Sequence, residues 1–345
     1  MRGFGFGAHG GADRLVWIDI PVPEPGPGEV RVRVRAAAFN RLDRFVLEGM
    51  PGVSIALPHV LGSDASGTVD AVGAGVEDLS PGDPVLLNPG IWDGSCPACL
   101  DGHEERCREY RILGEHTQGA LTEFVVLPRR NLYHKPASLS FAQAAAAPLV
   151  LQTAWRALLT AGELRAGETL AVVGAGGGLA PAAIQVGKLC GARVVVLSRS
   201  ETKLAAARGL GADDTLVLPA DGTHDRLLWQ WSGKRGIDVI FDSVGEATLG
   251  RSVRALARGG RVVVVGATTG PNVQLDLRTL FWRQASIRGS TMANRAEFEA
   301  MFRALEQGRL RPTIDREFGF EDARAAFARC LEPDVFGKVV VQVSG

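Results

Sequence analysis

The sequence carries no net charge: 38 basic residues balance 38 acidic ones. That balance gives no electrostatic footprint for nucleic acid or an anionic membrane. Long apolar runs are also missing. No stretch of about 18 uninterrupted apolar residues occurs, so no membrane span is expected. The opening MRGFGFGAHGGADR has no apolar segment of signal-peptide length. A disulfide framework is excluded by the cysteines, which are five and uneven: Cys96, Cys99 and Cys107 cluster, while Cys190 and Cys330 stand alone. An odd count with one tight group reads as metal binding in a reducing compartment, which points to the cytoplasm. No internal repeat or low-complexity linker appears.

What is present is apolar content of 46% with 22% charged residues over 345 residues. That supports a folded chain, and the length exceeds what one core usually fills, so two domains are expected. Glycine, at 43 residues, signals many tight turns and close backbone approaches. Residues 21–35, PVPEPGPGEVRVRVR, give a Pro-rich turn and then strict Val/Arg alternation, the period of a half-buried strand. SGTVDAVG, GDPVLLNPG and LTEFVVLP continue a β-rich first third to about Pro128. Near Leu139 the texture turns Ala-rich and helical, with Pro148 breaking or restarting the helix. From Glu168, apolar strands (TLAVVG, ARVVVLS, IDVIFD, GGRVVVVG) alternate with helices, which implies a parallel sheet covered on both faces. A further helix, RAEFEAMFRALEQGRL, and a last strand, GKVVVQV, close the chain.

Strand TLAVVG runs into Gly174-Ala175-Gly176-Gly177-Gly178-Leu179-Ala180 and a helix. A glycine turn admits a pyrophosphate to the backbone, and the helix N-terminus offers unpaired N–H groups. Gly174, Gly177 and Ala180 take the key places of the dinucleotide pattern. The next strand ends at Ser198-Arg199-Ser200, where an NAD site usually has an acidic residue for the ribose 2′-hydroxyl. A hydroxyl followed by Arg, with Lys203 one turn on, suits a 2′-phosphate instead. NADP(H) is therefore expected over NAD(H).

Asp93, Cys96, Cys99 and Cys107 are separated by two, two and seven residues. Three thiolates and one further donor make a closed tetrahedral structural zinc site. Asp93 has the spacing for the fourth ligand, and His103 is its rival. His9, His59, His116, His134 and His224 show no metal spacing.

EVRVRVRAAAFN, LGSDASGTVDAVGAGV, the cysteine lobe, LGEHTQGALTEFVVLP, the nucleotide fold, GSTMA at 289–293 and FGKVVVQV together resemble the medium-chain dehydrogenase/reductase superfamily. That resemblance implies an α/β chain with a discontinuous GroES-like β-barrel catalytic domain (1–150 and 290–345). A Rossmann domain (151–289) would complete it, with the active site in the cleft between them. It further implies a homodimer or homotetramer. In the alcohol dehydrogenase branch a Cys, a His-Glu pair and a later Cys or Glu surround a catalytic zinc; here those places hold Asn40, Ser63-Asp64 and Leu149. Asn, Ser and Leu do not replace thiolate and imidazole donors, so no catalytic metal is expected.

An Asn at this place resembles the quinone and enone reductases, where Asn40 would donate to a developing enolate oxygen. Asp43 would orient it or relay a proton, or else cap a helix or pair with Arg41 or Arg44. By the same resemblance Gln152, Thr153, Gly266, Ala267, Thr268, Ser290, Thr291 and Met292 flank the nicotinamide. The expectation is an NADPH-dependent reductase of a quinone or α,β-unsaturated carbonyl, with one structural zinc. Its rivals are a zinc alcohol dehydrogenase using Asp64 and His59, and a dinucleotide-binding protein without turnover.

Overall fold

The computed structural model describes residues 1–219 and 221–343. They divide into two compact units: Met1–Val150 with the chain from Asn294 onward, and Leu151–Ala293. The chain thus re-enters the first unit a few residues after the boundary expected at 289/290. Among the described residues no helix is long and apolar enough to cross a membrane.

The first unit is built around the strand Glu29–Phe39. Val30, Val32 and Val34 are fully buried, while Arg31 and Arg33 reach Asp70 on the neighbouring strand at 2.7 and 3.1 Å. Alternation therefore places the valines in the core and the arginines in an ion-pair ladder. One edge of this strand pairs along its length with Asp64–Val72, ending at Ala38 opposite Asp64. The other edge is shared. Its first half pairs with Phe124–Pro128, and its second half pairs antiparallel with Lys338–Gln342, Val339 lying opposite Phe39. The last strand thus completes a sheet begun 300 residues earlier in the chain.

The Ala-rich segment forms Phe141–Ala145, capped by Ser140, which exchanges hydrogen bonds with Gln143. Its alanines are small enough to let this helix lie against Ala36, Ala38 and Val340. Pro148 opens a second helix, Pro148–Trp155, at a position where its missing N–H costs nothing. The strand Ile314–Gly319 and helix Ala323–Leu331 were not legible in the sequence. The strand IDREFG sits at the sheet edge and is half to fully exposed, so no apolar periodicity marks it.

In the second unit the described strands lie in one parallel sheet. Counted along the chain, their order is 3-2-1-4-5-6. Thr169–Val173 is buried at every residue, which is why it reads as an unbroken apolar run. Helix Leu179–Cys190 ends at Gly191, whose φ of 83° is left-handed and suits glycine. In such a sheet, ligands bind beyond the carboxyl ends of the strands where the order reverses. That point lies between Thr169–Val173 and Ile237–Asp242. Asp242 ties the loop there, accepting from Val244 N, Gly245 N, Thr248 Oγ1 and Ser252 Oγ at 2.8–3.0 Å.

Candidate functional site

Strand register brings three polar residues together inside the first unit. Val339 lies opposite Phe39 and Ala38 opposite Asp64, so Lys338, Asn40 and Asp64 meet where three strand ends converge. Asn40 Nδ2 donates to Asp64 Oδ2 at 2.9 Å. Lys338 Nζ donates to the same Asp64 oxygen at 2.8 Å and also to Asn40 Oδ1. Leu149 N donates to Asp64 Oδ1 at 2.9 Å. The ion pair is 2% and 0% exposed on its two side chains. Lys338 was not singled out from the sequence; its one signal is a lysine set directly before the apolar run VVV.

Asp43 is fully buried and gives its two oxygens to backbone donors: Oδ2 to Asn40 N at 2.6 Å and Oδ1 to Gly62 N at 2.8 Å. It holds the first turn of helix Arg41–Glu48 and the Gly62 turn together. Burial pushes its carboxyl up to about 6, against the pull of those amides. Arg44 pairs with Glu48 rather than with Asp43. Ser63 Oγ is buried with no hydrogen-bond partner among the described residues. His59 Nε2 meets Gly114 O at 3.1 Å, and its pKa is lowered by burial. His59 and Asp64 form no shared group of metal-donor side chains among the described residues. Cys330 lies near Asp43 and Lys338, with a thiol pushed by burial up to about 11.

These residues do not fit a catalytic zinc. Both oxygens of Asp64 are already bonded, and its neighbours are an amide and an ammonium. An ammonium repels a second cation, and an amide does not replace thiolate or imidazole.

The second unit presents the dinucleotide elements. Gly174 and Gly177 have φ of 87° and 60°, values that favour glycine. A Cβ at Gly177 would meet nothing within 4 Å, whereas one at Gly176 would stand 3.6 Å from Lys203 Nζ. Gly178 precedes the helix that begins at Leu179. The loop is thus open to a phosphate group, with a lysine beside it. Ser198 Oγ accepts from Ser200 N at 3.2 Å, and Ser200 Oγ caps the helix carrying Lys203. Arg199 is exposed.

Gln152 is fully buried, yet neither side-chain amide atom has a partner among the described residues, and Ser290 Oγ is likewise buried and unpaired. Buried amide atoms without partners are rare and mark a place for a polar ligand. The residues fit a nicotinamide dinucleotide on these grounds. Thr153 is buried beside Gln152. Gly266 and Ala267 follow the strand Leu256–Val264, and Thr268 Oγ1 donates to Ser243 O at 2.9 Å. Thr291 is exposed, and Met292 is buried with a left-handed φ of 47°.

In the cysteine lobe, one donor atom from each of Asp93, Cys96, Cys99 and Cys107 lies within 4.8 Å of all the others. Asp93 Oδ1 accepts from Ser95 N and Cys96 N at 2.6 and 2.8 Å, and Cys107 Sγ donates to Oδ2 at 3.2 Å. Those amides hold the Asp93 carboxyl well below the usual carboxylate range. His103 is outside the group, its Nδ1 being 3.6 Å from Glu105. Three thiols and a carboxylate at this separation fit one tetrahedral zinc.

Residues 26–137 match the alcohol dehydrogenase GroES-like domain family, and residues 178–307 match the zinc-binding dehydrogenase family. A curated NAD-dependent alcohol dehydrogenase of Sulfolobus acidocaldarius is 32% identical over 84% of this chain and 83% of its own. This chain belongs to the medium-chain dehydrogenase/reductase superfamily. Within that superfamily, a curated acryloyl-coenzyme A reductase of Metallosphaera sedula is 31% identical, over 82% of this chain and 83% of its own. A solved structure described as an NAD-dependent alcohol dehydrogenase is 44% identical, with a TM-score of 0.95 over 100% of both chains. As a medium-chain dehydrogenase/reductase, the protein is an oxidoreductase that uses a nicotinamide cofactor.

Proposed function

We propose that the protein reduces an α,β-unsaturated carbonyl, as a quinone, an enone or an enoyl thioester, without a catalytic metal. The observation that carries this reading is the Asn40–Asp64–Lys338 cluster. One N–H of Asn40 is spent on Asp64, and the other is left to meet a carbonyl oxygen that gains negative charge as an enolate. Bound NADPH supplies the hydride. In an enone or enoyl thioester the β-carbon accepts it and the α-carbon then takes a proton from water; in a quinone the oxygens take the protons. Asp43 keeps Asn40 in place by holding its backbone N–H. The similarity to an acryloyl-coenzyme A reductase supports this class of acceptor.

The remaining components follow in the same spirit. Arg199, Ser198 and Lys203 favour the 2′-phosphate of NADPH. Asp93, Cys96, Cys99 and Cys107 hold one structural zinc. All five cysteines are free, which suits a reducing compartment such as the cytoplasm. Leu277, Phe281 and Trp282 are 66–68% exposed on a short helix next to the edge strand Ser286–Gly289; burying them in a homodimer or homotetramer would remove an exposed apolar face.

The test is NADPH oxidation with purified protein against a panel of quinones, enones and enoyl thioesters. Turnover with any of these, unaffected by a chelator, is the expected result. A second reading, alcohol oxidation, is favoured by the 44% identity to a structure described as an NAD-dependent alcohol dehydrogenase. Chelator-sensitive oxidation of simple alcohols, with no enone turnover, would replace the first reading by the second.

A further inference from the structure

Lysine is rare here, and Lys338 is among the most buried of its kind. Five lysines serve a chain of 345 residues, and Lys338 is 2% exposed. A buried ammonium is retained only where its partners are well placed. Its two acceptors are Asp64 Oδ2 and Asn40 Oδ1.

This geometry decides which way the Asn40 amide faces. With Oδ1 toward Lys338 and Nδ2 toward Asp64, every contact joins a donor to an acceptor. Turned over, the amide would set its N–H edge against the ammonium and its oxygen against the carboxylate, two repulsive contacts in a buried site. Lys338 and Asp64 thus act as a two-sided key. Remove the ammonium, and one of the two contacts that fix the amide's direction is gone. With Asp64→Asn as well, the second contact is gone too, and the turned-over amide is no longer repelled.

We propose that Lys338 is a positioning residue: its ammonium is the fixed cation of this site, and it holds the Asn40 amide with its free N–H available to the substrate oxygen. This rests on the enone-reductase reading above and gives Lys338, a member of the cluster behind that reading, a role of its own. It also explains why the site needs no metal ion to be electrostatically complete. Asp64 carries the balancing charge, Leu149 N satisfies its other oxygen, and Cys330 nearby stays a neutral thiol because burial pushes it up to about 11.

The test compares wild type with Lys338→Met and with the double variant Asp64→Asn/Lys338→Met. The double variant removes both charges and leaves no unpaired ion, so it is expected to fold even if the single variant does not. With an accepted enone, either folded variant is expected to lose about 30-fold in kcat, part of the range set by a lost oxyanion donor. KM for NADPH should stay within about 2-fold, because the contacts of Lys338 are to Asn40 and Asp64. A kcat within about 2-fold of wild type in either folded variant would overturn the proposal.

A second measurement does not depend on turnover. The Asn40 side-chain ¹⁵N–¹H pair, assigned by its loss in Asn40→Ala, should show two separate signals in wild type, one shifted by the Asp64 carboxylate. In the double variant the shift caused by the carboxylate should be lost, leaving the ordinary spacing of a primary amide pair. Unchanged Asn40 signals would overturn the proposal even where activity is lost. If wild type reduces no enone at all, the functional reading fails, and these signals still decide the role of Lys338.

Discussion

Two polar clusters of the first unit are each built around one aspartate and differ in what completes them. In the lobe, Asp93 and three thiols crowd within 4.8 Å with no cation of their own. At the strand ends, Asp64 and Asn40 are joined by a lysine that already supplies one. The lobe is a half-exposed loop of donors that must repel one another once deprotonated, so it gains most from a divalent ion. The buried cluster pairs its carboxylate with its own ammonium and has both Asp64 oxygens bonded, so a divalent ion would have to displace its lysine. The two differ in charge count: the lobe gathers donors without a cation, and the strand-end cluster includes one.

The sharpest way to break the comparison is to remove the built-in cation. Lys338→Met should destabilise the protein by about 3–5 kcal/mol, because a buried carboxylate is left unpaired. Adding Asp64→Asn should recover most of that loss. Urea denaturation reads both. A Lys338→Met protein as stable as wild type would contradict a buried ion pair between Lys338 and Asp64.

Next in size is the amide itself. Asn40→Ala should lower kcat on the preferred enone by about 10²-fold, the usual cost of an oxyanion donor, with little change in KM for NADPH. Steady-state kinetics check it, and an unchanged kcat would separate the cluster from the chemistry.

A third acid tests what happens when no cation is provided. Glu115 is 8% exposed, and burial alone pushes it up to about 7. His116 stands 3.7 Å away, but its own pKa is lowered by burial and by Arg111, so it offers little charge. A carboxyl whose folded pKa is raised contributes stability below its unfolded pKa and loses it as pH rises through the folded value. Stability should therefore fall by about 2 kcal/mol between pH 4.5 and 7 on account of Glu115. Glu115→Gln should flatten that part of the profile, as followed by denaturation at a series of pH values. An identical slope in the variant would show that Glu115 is solvated.

The smallest effect belongs to the other unit. Arg199→Ala should raise KM for NADPH about 10-fold and leave NADH unchanged, since only the 2′-phosphate pairs with the guanidinium. Equal effects on both cofactors would place the 2′-phosphate elsewhere.

How far the sequence already carried this picture differs between the two clusters. The lobe is local: its donors fall within fifteen residues, so spacing brought out Cys96, Cys99 and Cys107, with Asp93 favoured and His103 its rival for the fourth place. The glycine loop and its strand were legible for the same reason, because Thr169–Val173 and the following helix are contiguous in the chain. Asn40 and Asp64 were singled out only through family resemblance, and nothing in the sequence said that they touch. Lys338 was missed because its place depends on register between strands about 300 residues apart, which no local period encodes. Asp43 read as a candidate proton relay; the structure spends both its oxygens on backbone amides, a capping role that sequence spacing also allowed. Edge elements such as Ile314–Gly319 escaped because an exposed strand has no apolar face to show.

The contrast between the two clusters comes down to one count. Zinc should be measured per chain in the native protein and in Cys107→Ser. The account predicts one equivalent in the native protein and none in the variant, because the lobe is the site that lacks a cation. Zinc that remains bound in Cys107→Ser would place a metal outside the lobe and contradict the claim that Lys338 is the cation of the Asn40–Asp64 site.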